Sequence, residues 1–214
     1  MSDIFQEVDE DLRRDRTTQF MKRYGGLLGT VAVLLVAATA GWQAWQGWKR
    51  SQAEAETGRL VSALSQAAAG PQKGIEALTA FSGSAPASLA VLARLNEAAL
   101  RVEEGKTAEA VALYDSIAGN GSADAIYRDL ATLLSVMHQM DGGDAAKLQT
   151  RLQPLTVDAS PWRFSARELT ALLAARSGDR ERARSLFQQL ADDSLAPSGV
   201  RSRAADLAAL YGKS

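Results

Sequence analysis

The sequence predicts an all-α protein, with a single N-terminal transmembrane helix followed by an α-solenoid of degenerate helical hairpins. Three observations lead there. Residues 25–45 carry no charge. The chain beyond them is rich in Ala and Leu, sparse in β-branched and aromatic residues, and punctuated by Gly and Pro between segments. Within it, one pattern of small and aromatic residues recurs at a nearly constant spacing.

The uncharged stretch reads GGLLGTVAVLLVAATAGWQAW, with Lys22 and Arg23 before it and Lys49 and Arg50 after it. At about 1.5 Å of rise per residue it spans roughly 31 Å, the hydrocarbon thickness of a bilayer. Leu27, Leu28, Val31, Val33, Leu34, Leu35 and Val36 each favour insertion by about 0.3 to 0.6 kcal/mol near the membrane centre. Trp42, Trp45 and Trp48 follow at the far end, where indole rings prefer the headgroup zone. Gly25 with Gly29, and Ala37 with Gly41, lie four residues apart and offer close-packing faces to a second membrane helix, either another copy or a channel subunit. Chance spacing of small residues is the competing reading of both pairs. The membrane anchor is thus assigned to Gly25, Gly29, Leu34, Leu35, Gly41, Trp42 and Trp45. A cleaved signal peptide competes, because Ala38-Thr39-Ala40 has a small-x-small pattern. Six acids in the 24 residues before the stretch, and a Trp-rich helical pattern unbroken through that point, speak against cleavage.

The remaining elements follow in order. Residues 1–22 form a polar tail with Ile4, Val8 and Leu12 on one stripe, suited to docking on a protein. It carries Arg13, Arg14, Arg16, Lys22 and Arg23, against Lys49, Arg50 and Arg59 beyond the anchor, so positive charge favours a cytoplasmic N-terminus. The anchor occupies 23–48 and continues as helix to about 69, since nothing breaks it after Trp48. The repeat domain, 52–214, would then face the periplasm of a bacterium or another trans compartment. Helices are expected at 72–82, 87–104, 107–118, 123–140, 144–153, 161–177, 180–192 and 198–211, separated by Gly-, Pro- and Ser-rich breaks such as Gly70-Pro71 and Ser160-Pro161. Whether 52–82 folds as a hairpin or a stalk is left open.

The repeat shows best between residues 105–118 and 178–191, where Gly, Ala, Leu, an aromatic residue, an aliphatic residue and Ala coincide at an offset of 73. Half that offset is the length of a helical hairpin, and a weaker middle copy exists: Gly143 is followed by Leu148, Leu152 and Leu155. Ala77 and Phe81 form a fainter first copy. The signature positions are Ala110 and Tyr114, Leu148 and Leu152, Ala183 and Phe187. A small residue lets two helices approach, the aromatic one turn on fills the gap to the next hairpin, and the preceding Gly ends the first helix in a left-handed cap. This core resembles the second helix of a tetratricopeptide repeat. The first helices lack the Trp, Leu-Gly and Tyr positions of that family, and Pro is not consistent at repeat ends.

Composition excludes several chemistries. There is no cysteine, hence no disulfide, thiolate metal site or Cys nucleophile, and the single histidine, His138, cannot build a His-rich cluster. His138 is expected to be a half-buried structural residue. Beyond residue 50 the chain holds 17 basic and 19 acidic side chains, so no basic patch calls for nucleic acid. The pairs Glu103-Glu104 and Asp192-Asp193 are neighbours that point apart on a helix and are expected to be solvated. Residues 70–74 lack the Lys-Ser/Thr of a phosphate loop, and Gly-x-Ser-x-Gly is absent. No cofactor is implied. Leu92, Leu95, Ala99 and Val102, and Trp162, Leu169 and Leu173, make apolar stripes whose expected use is core packing.

The tail from Ile4 to Arg16, acidic then arginine-rich, joined to Lys22-Arg23-Tyr24-Gly25, one anchor helix and degenerate repeats, resembles across the whole chain the bacterial family of ancillary subunits of the Sec translocon, the YfgM-like proteins. The resemblance implies a non-enzymatic, single-pass inner-membrane protein. Its periplasmic domain would join translocon channel subunits, periplasmic chaperones and secretory chains, with the bilayer itself as the other partner. No binding residue of the family carries over. The alternative is an adaptor of the same architecture for another cell-envelope complex, in envelope assembly or division or in regulation of a membrane sensor.

Overall fold

The computed structural model describes residues 3–212, and the side chains of 22–212 apart from those of residues 24, 25, 27–29 and 32. The chain divides into two compact units, residues 1–55 and 56–214. All regular structure among the described residues is helical. The helices are α1 (Asp3–Ala67), α2 (Pro71–Ser82), α3 (Ala87–Glu103), α4 (Thr107–Ala118), α5 (Ala125–His138), α6 (Ala145–Leu152), α7 (Arg163–Arg176), α8 (Arg180–Asp192) and α9 (Ser198–Gly212), with a 3-10 turn at Gln153–Leu155. From α2 onward each expected helix is found, with ends shifted by at most two residues.

In the first unit α1 is helical from Asp3, so the partly helical tail and the expected anchor share one helix. Among the described residues no helix is long and apolar enough to cross a membrane. The expected span includes Gly25, Leu27, Leu28, Gly29 and Ala32, whose side chains lie outside the described residues, as do those of the Ile4, Val8 and Leu12 stripe.

The second unit is a run of hairpins built on four apolar clusters. Leu60 and Ala63, in the last turns of α1, pack with Leu78 and Phe81 of α2 and Ala93 of α3. The segment 52–82 therefore ends in a hairpin rather than a stalk. Val91, Leu95 and Ala98 of α3 join Ala110, Tyr114 and Ile117 of α4 and Ala131 of α5. Leu133 and Val136 of α5 join Leu148 and Leu152 of α6, Leu155, and Ala166, Leu169 and Leu173 of α7. Ala171 and Ala174 of α7 join Ala183, Phe187 and Leu190 of α8 and Ala204 and Ala208 of α9. Helices α3, α5 and α7 each serve two clusters, so each hairpin is stabilised by its neighbours, as in a one-dimensional array.

This double duty corrects the reading of α3 as carrying one apolar stripe. Leu92 packs toward the first cluster while Leu95 and Val102 pack toward the second, and Ala99 is exposed. Trp162, Leu169 and Leu173 do lie together, in the third cluster.

Two glycines end first helices as the repeat requires. Gly105 and Gly178 sit at φ 75° and 83°, the left-handed region. Each is followed by the paired bonds of a Schellman stop: Gly105 N–H donates to Val102 O at 2.9 Å and Lys106 N–H to Arg101 O at 2.8 Å, while Gly178 N–H donates to Ala175 O and Asp179 N–H to Ala174 O, both at 3.0 Å. The middle copy departs from this pattern. Gly143 is not left-handed, and what it supplies is space, because a Cβ there would stand 2.9 Å from Gln139 O.

Candidate functional site

The six signature side chains occupy equivalent places. Ala110, Tyr114, Ala183, Phe187, Leu148 and Leu152 are all buried, on second helices, against the following first helix. Tyr114 stacks on His138, ring centroids 5.9 Å apart and planes 5° from parallel, and Phe187 stacks on Tyr211 at 5.9 Å and 6°. Each partner ring lies 24 residues after the signature aromatic. At the middle repeat that place belongs to Arg176, whose guanidinium donates to the carbonyls of Met140 and Gly143. Burial pushes the Tyr114 hydroxyl up and the His138 imidazole down in pKa.

Polar ties reinforce the repeat spacing. Asp115 with Arg151 (2.6 Å), the Trp162 indole N–H with Ile126 O (3.1 Å), and Arg176 with Met140 O each join residues 36 apart. Ser135, buried in α5, donates to Asp115 Oδ1 at 2.6 Å and accepts from Gln139 Nε2 at 2.9 Å. Glu97, buried in α3, accepts from Arg101 Nη2 at 2.6 Å, and Arg101 also pairs with Glu109 of α4. Arg203 of α9 forks both oxygens of Glu168 on α7 at 2.8 Å. These ionised groups are neutralised within the array, which leaves its binding surface to other residues.

The acid pairs differ from expectation in part. Glu103 is exposed, but Glu104 pairs with Lys106 at 2.8 Å. Asp192 accepts from Gln188, whereas Asp193 is half-buried, 3.6 Å from Arg167 and bonded to Leu195 N–H at 2.9 Å. Neither pair converges on a common point.

Two cavities lie along α8. A cavity of about 480 Å³ is lined by Gln149, Thr150 and Gln153 from the α6 side, Thr170 of α7 and Arg182 of α8. A second, of about 300 Å³, is lined by Arg167, Leu186, Gln189 and Asp193. Sequence reasoning missed this groove, because it sought apolar stripes and these walls are amide, hydroxyl and guanidinium. The only sequence sign of it is Pro154, which stops α6 early. A third cavity, of about 410 Å³, lies between the end of α1 and α2, with Arg59 set over Phe81 at 5.6 Å.

On α1, Val33, Leu34, Leu35 and Val36 are each more than 60% exposed. Four consecutive helical residues, about 100° apart, cover the whole circumference, so the helix here is apolar all round. Trp42 and Trp45 are exposed, their rings 5.4 Å apart, with Lys49 Nζ 3.8 Å from the Trp45 ring centroid. Gly41 has open space where a Cβ would stand. Gly25 and Gly29 lie on α1, and their side-chain surroundings are outside what the structure describes.

Hairpins that share first helices between successive clusters define a helical-repeat protein, a class whose stacked repeats present extended binding surfaces. The chain belongs to the tetratricopeptide repeat-like domain family, whose model matches residues 18–208. Comparison with curated proteins and with solved structures returns no match.

Proposed function

We propose that the protein is a membrane-anchored adaptor that works by binding and release, without catalysing a reaction. In this reading α1 spans the inner membrane around residues 25–45, with the N-terminus cytoplasmic and the repeat domain periplasmic. The domain then serves as an accessory of the Sec translocon, holding secretory chains or periplasmic chaperones near the channel. The observation that carries the anchor is the apolar circumference at Val33–Val36, which is costly in water and favourable in lipid. The repeat family supports the binding role. Tethering supplies the mechanism, because a fixed domain meets neighbouring membrane complexes at high effective concentration without extra contacts.

The test is co-purification of the tagged full chain in mild detergent, with photo-crosslinkers at exposed positions of α4, α6 and α8. Recovery of channel subunits and secretory chains supports the translocon role. Recovery of a different envelope complex without channel subunits refutes that role and keeps the adaptor. A chain found wholly in the soluble fraction, or cut after Ala40, refutes the anchor.

A further inference from the structure

The groove along α8 lies where the middle hairpin is cut short. Its second helix, α6, has 8 residues, against 12 in α4 and 13 in α8. Pro154 then stands in the 3-10 turn Gln153–Leu155, and Gln149 and Thr150 of α6 with Gln153 and Thr156 beyond it form the cavity wall opposite Thr170 and Arg182. Arg182, Leu186, Gln189 and Asp193 follow at helical spacings of four, three and four, which places them on one face. Thr156 lines the first cavity and Arg167 the second, and Arg167 Nε donates to Thr156 O at 2.9 Å. From Arg182 to Asp193 the face runs about 16 Å, room for about five residues of extended chain.

Its chemistry matches a peptide backbone. Thr150 and Thr170 donate their hydroxyl protons to Ala146 O and Ala166 O, and each keeps oxygen lone pairs to accept from a ligand. The amides of Gln149 and Gln153 offer both donors and acceptors. The charges are unequal. Arg167 is engaged by Asp158 at 2.6 Å and by Asp193 at 3.6 Å, so each end of that pair is neutralised. Arg182 is exposed and, among the described residues, makes no ion pair, and no carboxylate lines its cavity.

We propose that this groove binds an extended peptide segment carrying an acidic side chain, the carboxylate meeting Arg182 and the backbone lying along Gln149, Gln153 and Thr170. The site rests on the adaptor reading and gives it a partner chemistry. It lies on the second-helix side of the array, between the third and fourth hairpins, and takes its specificity from one uncompensated cation.

The test uses the full chain in detergent micelles on an array of dye-labelled hexapeptides, each with one Glu, against the matched array with Lys in its place. Binding of the Glu array about two- to fivefold over the Lys array is expected, the size of one exposed charge pair. Arg182→Glu should invert the preference, and Gln153→Trp, on the exposed rim, should block both arrays, with thermal melts confirming that each variant is folded. Equal binding of the two arrays, a preference untouched by Arg182→Glu, or no binding at all overturns the proposal. If the arrays fail while the wild-type chain still co-purifies with channel subunits, the groove assignment alone falls. If Arg182→Glu inverts the arrays but no membrane partner is recovered, the groove stands and the translocon role falls.

Discussion

Leu148 and Leu152 stand where the flanking hairpins have Ala with an aromatic residue, which makes an exchange of volume the sharpest test of the repeat register. Leu148→Ala removes three side-chain carbons from a position 3% exposed, in a cluster shared by α5, α6 and α7. Leucine-to-alanine truncation at such sites costs about 2 to 5 kcal/mol. Leu152→Phe adds three carbons where nothing is exposed, and overpacking of that kind costs about 1 to 3 kcal/mol. Together the two changes conserve volume and restore the Ala-then-aromatic pattern of α4 and α8. If α6 occupies the same register, the double variant should be less destabilised than the sum by about 1 to 3 kcal/mol. Trp162 packs against this cluster, and replacing Trp42, Trp45 and Trp48 by Phe leaves it the only tryptophan. Urea titrations followed by Trp162 fluorescence then supply the four corners of the cycle. Strict additivity would refute the register and make Leu148 and Leu152 independent core residues.

Four further outcomes are expected. Gly74→Ala places a Cβ 2.7 Å from Ala67 Cβ and 2.8 Å from Ala67 Cα, so the first hairpin must separate; a loss of about 1 to 3 kcal/mol by denaturant titration is expected. Gly105→Ala and Gly178→Ala meet open space but force alanine into left-handed backbone, costing about 1 to 2 kcal/mol each, read as a lower melting temperature. Leu34→Arg with Leu35→Arg should move the chain from the membrane pellet to the soluble fraction, since each arginine opposes insertion by about 2.5 to 3.5 kcal/mol. His138 lies in the last turn of α5, where the helix dipole favours its cation, yet burial wins and lowers its pKa below 6.5. The unfolded chain therefore binds the proton more readily, and stability must fall as pH drops below the unfolded value near 6.5. Melting curves at pH 7.5 and 5.5 should show a loss that is smaller in His138→Leu.

How much could be read beforehand depended on what each position repeats. The second helices were legible because an Ala and an aromatic recur with a left-handed Gly before them, and the Schellman stops at Gly105 and Gly178 are that reading made concrete. The first helices carry an equally regular register that escaped notice. Ala93, Ala131, Ala166 and Ala204 are fully buried and stand 38, 35 and 38 residues apart. Alanine there does the work of glycine, letting first helices approach, so a search for Trp, Leu-Gly and Tyr passed over it. The breaks before those helices carry a register of their own: Ala85-Pro86, Ala123-Asp124 and Ala196-Pro197 stand directly before α3, α5 and α9, and Ser160-Pro161 one residue short of α7, each a small residue before a helix-initiating one. The double duty of α3 was hidden because stripe counting assumes one buried face, and a helix shared by two clusters has two.

The groove and the weakness of the middle repeat fall at one hairpin. Leu148 and Leu152 blur the small-and-aromatic signature, Gly143 gives up the left-handed stop, and Pro154 ends α6 after two turns. A full-length second helix there would continue past residue 152, through the positions of Gln153 and Thr156 that now wall the cavity opposite Arg182. Restoring the consensus pattern throughout would thus strengthen the array and rebuild the wall that Gln153 and Thr156 now give the cavity. Sequence degeneracy at this hairpin is then the physical condition for a site, and that is why the Leu148→Ala, Leu152→Phe exchange, which leaves Pro154 in place, should alter core stability without altering peptide binding.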